Sequence, residues 1–225
     1  TMPAGDRERA ILERLQQVCK YAYEHAPFYR RKWDAAGFHP SQLKSLEDFE
    51  SRVPVVTKTD LRESQAAQPP FGDYLCIPDS EIFHVHGTSG TTGRPQVVLF
   101  SPKAREVQAL LVARIYRLQG IAPGDVLHSV YGHGMINGGH FIREAVLHYT
   151  NNLFLSAGTG KETRSLAQVE LMRDLRVTVI VGFVDYIRQL AETARDAGLE
   201  PGRDIPVRMI SGHVGRESRS VLSRA

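Results

Sequence analysis

The residues Val177-Thr178-Val179-Ile180-Val181 form a short run in which every side chain is β-branched. A short run that is apolar on both faces is typical of a strand buried between two layers of helices. Patterns of helical spacing flank this run at residues 163–175 and 184–197. The sequence therefore predicts a strand between two helices, which is the unit from which parallel sheets are built.

The same alternation of strand and helix extends towards both ends of the chain. We expect a sheet from residue 82 onward in an α/β fold, mostly parallel and with helices on both faces, because crossover connections are right-handed. A last helix begins at Glu217 and has no end signal before Ala225, so we expect a fragment of a longer protein. The other predicted strands are 82–86, 97–100, 126–130, 153–155 and 207–210, and the other predicted helices are 103–119 and 139–149.

The first eighty residues have a different pattern, which indicates a helical N-terminal region. Apolar residues at helical spacing predict one helix over 7–24 and a second over 28–36. Thr57 followed by Asp60 resembles a capping box and predicts the start of a third helix. We therefore expect two domains, a helical region over residues 1–80 packed on the core and an α/β subdomain over residues 81–225.

Composition excludes several classes of protein. The chain of 225 residues carries 28 Lys and Arg against 25 Asp and Glu, a net charge of +3 that is spread evenly, so neither nucleic acid nor a membrane surface is an expected partner. Two distant cysteines, Cys19 and Cys76, exclude a disulfide scaffold. The longest apolar run, residues 177–184, is too short to cross a bilayer. No secretory leader opens the chain, so we expect a cytoplasmic location.

A loop rich in glycine and threonine, Gly87-Thr88-Ser89-Gly90-Thr91-Thr92-Gly93-Arg94-Pro95, lies between two predicted strands. Three glycines and four hydroxyl residues fall within the seven positions from Gly87 to Gly93. Glycine lets backbone N–H groups approach an anion closely, the hydroxyls add donors, and Arg94 adds a positive charge. The loop therefore predicts a polyphosphate site. A flexible hairpin turn is the alternative, although such a turn needs fewer residues.

Two other glycine motifs are weaker signals. Gly158-Thr159-Gly160-Lys161 is similar to the end of a Walker A loop, but Leu155 stands where the first glycine belongs and Glu162 replaces the hydroxyl residue. Gly132-His133-Gly134 follows a predicted strand, as a dinucleotide fingerprint does, but the third glycine is replaced by Asn137. A nicotinamide-dependent dehydrogenase is therefore a minor alternative.

The histidines show no ligand spacing typical of a metal site, and we predict none. We expect His86 to lie near the site because it adjoins the glycine/threonine loop. Four further histidines are interpreted as polar positions outside the site: His84, His128, His140 and His148.

Residues 88–95 resemble the phosphate loop of the adenylate-forming acyl-CoA ligases. Over almost its whole length the chain is more narrowly similar to phenylacetate–CoA ligases and their aryl-CoA ligase relatives. The segments that carry this resemblance are Pro27-Phe28-Tyr29-Arg30, Thr57-Lys58-Thr59-Asp60-Leu61-Arg62 and the stretch 131–139, which begins Tyr131-Gly132 and ends Gly138-Gly139. One segment departs from the pattern, because Gly212-His213-Val214-Gly215 stands where the family has Gly-Ala-Glu-Pro.

The resemblance implies part of the N-terminal domain of an enzyme, in which residues 81–225 bind nucleotide and acyl group. It implies that a carboxylic acid, an aromatic acid among the candidates, is activated by ATP with Mg²⁺ and transferred to coenzyme A. Residues implied in nucleotide binding are His86, Thr88, Ser89, Gly90, Thr91, Thr92, Gly93 and Arg94. Residues implied in binding the acid are Tyr131, Gly138, Gly139, Gly212 and His213.

The resemblance places the catalytic residues beyond Ala225. The departure at residues 212–215 keeps open a second interpretation, a relative that binds nucleotide or carboxylate without turnover. A homodimer is a further expectation.

Overall fold

The structure is a computed structural model that describes residues 2–88 and 95–212. The chain divides into two compact units, Thr1–Phe83 and His84–Ala225. Residues 89–94, with most of the glycine/threonine loop, and 213–225, with His213 and the helix predicted from Glu217, lie outside the described residues. No helix in the described ranges is long and apolar enough to span a membrane.

The first unit is helical, as its sequence pattern predicts. It contains α1 (Ala4–His25), α2 (Pro27–Ala35), α3 (Leu46–Arg52) and α4 (Lys58–Ala67), with short 3-10 helices at Pro40–Gln42 and Asp79–Glu81. Its core is a cluster of buried apolar side chains that includes Cys19, Trp33, Phe38 and Leu43. The packing of this unit on the second remains a prediction.

Side chains close the N-terminal ends of two of these helices. The Thr57 hydroxyl accepts a hydrogen bond from the Asp60 N–H at the start of α4, and the Asp60 carboxylate accepts one from the Thr57 N–H. Ser45 and Asp48 form the same reciprocal pair at the start of α3. Each pair satisfies N–H groups that a helix start leaves unpaired. The Thr57–Asp60 pair was predicted from the sequence, whereas α3 and its Ser45–Asp48 pair were not.

The second unit contains two sheets and four helices within its described residues. A two-stranded antiparallel sheet pairs β1 (His84–Gly87) with β2 (Val97–Phe100). A four-stranded parallel sheet has the order β4-β3-β5-β6. Its strands are β3 (Val126–Ser129), β4 (Leu153–Ser156), β5 (Val179–Val181) and β6 (Met209–Ser211), and the helices are α5 (Pro102–Gln119), α6 (Asn137–Tyr149), α7 (Ser165–Asp174) and α8 (Val184–Asp196).

The first two strands correct one expectation. The sequence analysis placed residues 82–86 and 97–100 in the main sheet, but β1 and β2 pair with each other in antiparallel register, with His86 opposite Val98. A parallel pair needs a crossover of about a dozen residues or more, and the chain between these strands is too short for one. The glycine/threonine loop therefore connects the two strands of a hairpin.

Both faces of the parallel sheet are covered, as predicted. Val179 and Val181 of β5 pack in one cluster with side chains of α5 and α6, among them Tyr116 and Ile142. Ile180, between them, packs on the opposite face with α7 and α8. This alternation explains why residues 179–181 are apolar at every position, since both faces of β5 are buried. The α/β fold class is confirmed.

The strand order fixes where a ligand can bind. α6 follows β3 on one face of the sheet, whereas α8 follows β5 on the other, and β3 and β5 are neighbours. The segments that follow β3 and β5 therefore run to opposite faces of the sheet, which opens a crevice between them at its carboxyl edge. In open α/β sheets ligands bind at such a switch point.

Candidate functional site

The floor of the switch-point crevice is formed by glycines. Gly182 follows β5 with φ +153°, and a side chain there would overlap Val130. A Cβ on Gly212, directly after β6, would overlap the carbonyl oxygen of Gly182. Gly212 can lie against the backbone of Gly182 only because it has no side chain, and Gly182 can lie against Val130 for the same reason. The structure therefore brings Gly212, which was predicted in the site, to this edge, together with Gly182, which was not.

An aromatic pair stands above this floor. Tyr131, directly after Val130 at the end of β3, contacts Phe183 edge to face with ring centroids 4.9 Å apart. Phe183 is 54% exposed although it is large and apolar. Burial raises the pKa of the Tyr131 hydroxyl, so the ring stays neutral. Phe183 was not predicted in the site, although its position shortly after the buried strand β5 could have indicated it.

Two predicted glycines lie against the same tyrosine segment. A Cβ on Gly138 would be 3.7 Å from the Tyr131 ring, and a Cβ on Gly139 would be 2.5 Å from the Gly132 carbonyl oxygen. Gly139 therefore lets the start of α6 approach the chain that leaves β3. Tyr131, Gly138 and Gly139 are thus brought together as one wall of the crevice.

The stem of the glycine/threonine loop reaches the same edge. The Gly87 N–H donates to the Met135 carbonyl at 2.8 Å, which joins β1 to the chain after β3. Across the hairpin, the Thr88 N–H donates to the Gln96 carbonyl at 2.9 Å and the Thr88 hydroxyl accepts from the Gln96 N–H at 3.1 Å. The predicted nucleotide-binding residues from Ser89 to Arg94 lie outside the described residues, but the stem from which they extend is held at the crevice.

His86 is buried at this junction, with 1% of its surface exposed. Its Nδ1 donates to the Met135 carbonyl at 3.2 Å, and burial lowers its pKa although that hydrogen bond opposes the shift. The rings of His84 and His140 lie on it, with centroids 4.1 Å and 5.0 Å away. The structure therefore places His84 and His140, interpreted from the sequence as polar positions outside the site, beside His86. The contact between His86 and His140 could not be predicted from the sequence, because the two residues are distant along the chain.

In the glycine motif after β4, the donors of Thr159 are bound by a side chain of the same loop. The Glu162 carboxylate accepts from the Thr159 N–H at 3.0 Å, so this acidic residue turns the loop back on itself. Beneath it, the buried Gln168 donates to the Thr163 carbonyl at 2.7 Å and accepts from His128 at 2.9 Å. These contacts agree with the rejection of a Walker A loop, and they show His128 to be a buried structural residue.

The surroundings of His86 and His133 lower the pKa of each ring and so favour its neutral form. Burial lowers the pKa of His133, helped by His140 and Arg143 and opposed by Glu162. In the described ranges, no group of three or more His, Cys, Asp or Glu side chains could hold a metal ion. The arrangement offers a flat aromatic wall, a glycine floor open to backbone contact and the stem of an anion-binding type of loop.

These features define an α/β protein in which the switch point of the parallel sheet lies beside the stem of a glycine-rich hairpin loop. The chain matches no known family model. It is 38% identical over 89% of its length to the phenylacetate–coenzyme A ligase of Thermus thermophilus, and 36% identical over 80% to that of Escherichia coli. The chain belongs to the phenylacetate–CoA ligase-like group of adenylate-forming acyl-CoA ligases.

Solved structures agree with this family assignment. A 2-hydroxyisobutyryl-CoA ligase in complex with 2-HIB-AMP and CoA superposes on 95% of the chain at 48% identity, with a TM-score of 0.88. An open conformation of that ligase covers the whole chain with a TM-score of 0.90. The chain spans 43% of the Thermus relative, 39% of the Escherichia relative and 44% and 51% of the two solved chains. About half of each relative thus lies outside the region of similarity.

Proposed function

We propose that the protein containing this chain is an AMP-forming acid–thiol ligase. In the first half of the reaction a carboxylate oxygen attacks the α-phosphorus of ATP, the bond to the β-phosphate oxygen breaks, and pyrophosphate leaves. In the second half the thiol of coenzyme A attacks the acyl carbonyl, loses its proton and displaces AMP. The observation that carries this proposal is the Met135 carbonyl, which joins the stem of the glycine/threonine loop to the tyrosine segment.

The residues divide between the two substrates. The loop from Thr88 to Arg94 would hold the β- and γ-phosphates of ATP, which enters as its Mg²⁺ complex, through backbone N–H groups, hydroxyls and one guanidinium. Tyr131 would form the wall of the acid pocket, Gly138 and Gly139 would let the chain close around it, and Gly212 and His213 would border it. Positioning and charge stabilisation are the work expected of such a site.

Two classes of acid are candidates. The ring of phenylacetate would pack against the Tyr131–Phe183 pair in the offset or edge-to-face contacts that aromatic rings favour. A small 2-hydroxy acid is favoured by identity, because the chain is 46–48% identical to the 2-hydroxyisobutyryl-CoA ligase structures and 33–38% identical to the phenylacetate–CoA ligases. We propose a cytoplasmic location, where ATP and coenzyme A are available, and a homodimer as the assembly to be tested by light scattering.

The test is acid-dependent exchange of pyrophosphate with ATP by the protein expressed from its complete reading frame. Phenylacetate and 2-hydroxyisobutyrate are compared at equal concentrations, and we expect exchange with one of the two. Replacing Thr91 and Thr92 with Val removes two hydroxyls and keeps the branched shape, so exchange should fall by about 10²–10³ for a lost charge-stabilising donor. A fall of less than about twofold would refute the phosphate role.

The main alternative is a relative that binds nucleotide or carboxylate without turnover. The departure at Gly212-His213-Val214-Gly215 favours it, since the family's Glu and Pro are absent there. ATP binding by calorimetry without any exchange, for any acid in the panel, would establish this alternative.

A further inference from the structure

The chain that leaves β3 is irregular, and its backbone is held by histidines. Residues 131–136 lie outside every helix and strand, and Met135 and Ile136 are exposed. Three consecutive carbonyl groups in this segment nevertheless have imidazole partners. His140 Nε2 lies 3.1 Å from the His133 oxygen and 2.8 Å from the Gly134 oxygen, and His86 Nδ1 lies 3.2 Å from the Met135 oxygen.

The carbonyl partners fix the protonation of both rings. A carbonyl oxygen can only accept, so His86 must carry its hydrogen on Nδ1 and His140 must carry a hydrogen on Nε2. The Nε2 atom of His86 is buried and finds no hydrogen-bond partner within the described ranges. An unpaired buried acceptor is unfavourable, so a purely space-filling role would be served better by an apolar side chain. The Nδ1–H donor is the property that explains a histidine here.

The two histidines come from different elements. His86 lies in β1, which carries the glycine/threonine loop, and His140 lies in the first turns of α6, which borders the tyrosine wall. The centroids of their rings lie 5.0 Å apart. The two rings therefore connect the stem of the glycine/threonine loop to the segment that carries Tyr131.

We propose that His86 and His140 are positioning residues that form a tautomer-specific clamp on the backbone of residues 133–135. The clamp aligns the acid pocket with the nucleotide loop, and this role in catalysis rests on the proposed ligase function. Neither ring needs to touch substrate. The clamp would affect the reaction rate by aligning the two substrates, and rates depend steeply on such alignment.

Amide side chains provide a test with opposite outcomes at the two positions. The amide nitrogen of Asn can occupy the place of Nδ1, and that of Gln can reach the place of Nε2. We expect His86→Asn to keep most of the acid-dependent exchange and His86→Gln to lower kcat/KM for the acid about tenfold, a loss of 1.4 kcal/mol. At His140 the order should reverse, with Gln tolerated and Asn impaired.

His148 supplies the matched control. It lies on α6 like His140, but its side chain is 63% exposed and pairs with Glu144 at 3.4 Å. His148→Asn and His148→Gln should give the same exchange rate as each other. A general loss of stability would affect the Asn and Gln variants of His86 alike, so equal impairment of both, with melting temperatures lowered together, would overturn the clamp.

A spectroscopic measurement tests the clamp without catalysis. Long-range ¹H–¹⁵N correlation spectra of the imidazoles distinguish the two tautomers, and we expect His86 in the Nδ1–H form and a hydrogen on Nε2 of His140. A His86 ring in the Nε2–H form would refute the clamp whatever the enzyme does. The expected tautomers in a protein that shows no exchange would instead refute the ligase proposal and leave the clamp intact.

Discussion

The glycines at the carboxyl edge of the sheet differ in how much space a Cβ atom would have if the residue were alanine. A Cβ on Gly139 would lie 2.5 Å from a backbone oxygen, whereas a Cβ on Gly134 would have nothing within 4 Å. We expect Gly139→Ala to lower the free energy of unfolding by about 1–3 kcal/mol, the usual cost of overpacking, and Gly134→Ala to change it by less than about 0.5 kcal/mol. Urea titration of both variants measures the difference. Equal midpoints would contradict the close approach seen at Gly139.

The aromatic wall gives a second prediction at the scale of the residue. Tyr131→Ala removes the ring that faces Phe183, so we expect the KM for the acid to rise at least about tenfold, while the KM for ATP changes less than about twofold. Tyr131→Phe keeps the ring and loses only the hydroxyl, so it serves as the control and should keep the KM for the acid. Equal losses on both substrates would indicate a structural tyrosine.

At the scale of the element, the capping box of α4 depends on an ionised carboxylate. The Thr57 N–H and hydroxyl, with Lys32, lower the pKa of Asp60 to about 2 from its model-compound value of 3.8. A carboxyl whose pKa is depressed in the folded state stabilises the fold above the unfolded pKa, and that contribution is lost as the pH falls through the folded pKa. The melting temperature of the wild type should therefore exceed that of Asp60→Asn at pH 6.

The same difference should shrink between about pH 4 and pH 2, because the Asp60 carboxylate is protonated in that window. Thermal unfolding of the two proteins followed by circular dichroism over this range checks the prediction. A constant gap down to pH 2 would show that Asn lacks some other contact and that ionisation of Asp60 is not the cause.

Elements were predictable where one local pattern decides them. Apolar periodicity located α1, α5, α8 and the parallel strands, since burial of one or both faces sets that periodicity. α3 was missed because its seven residues are too few for a clear period, although its Ser45–Asp48 box was readable. The antiparallel pairing of β1 and β2 was predictable, because the chain between them is too short for a crossover. The histidine contacts and the exposure of Phe183 were not predictable, because each depends on residues brought together from separate parts of the chain.

At the scale of the whole molecule, the chain corresponds to about half of each relative, so the crevice is described from one side. The stem of the nucleotide loop, the tyrosine wall and the glycine floor all belong to the second unit. That the catalytic residues of the proposed ligase belong to the part of the relatives that this chain does not match remains a prediction. A nucleotide bound here alone would keep much of its water, and charge stabilisation is weak at high dielectric constant.

We therefore expect the 225-residue chain to fold and to bind ATP weakly, but to form no acyl-CoA. Its parallel sheet buries a core on both faces, which is enough to form a folded unit at this length. ATP should raise its melting temperature, and the rise should shrink with added salt because the contacts are ionic. The assay combines the purified chain with ATP, Mg²⁺, coenzyme A and both candidate acids. Turnover by the chain itself, in a preparation free of host ligase, would show that its own residues complete the catalytic site.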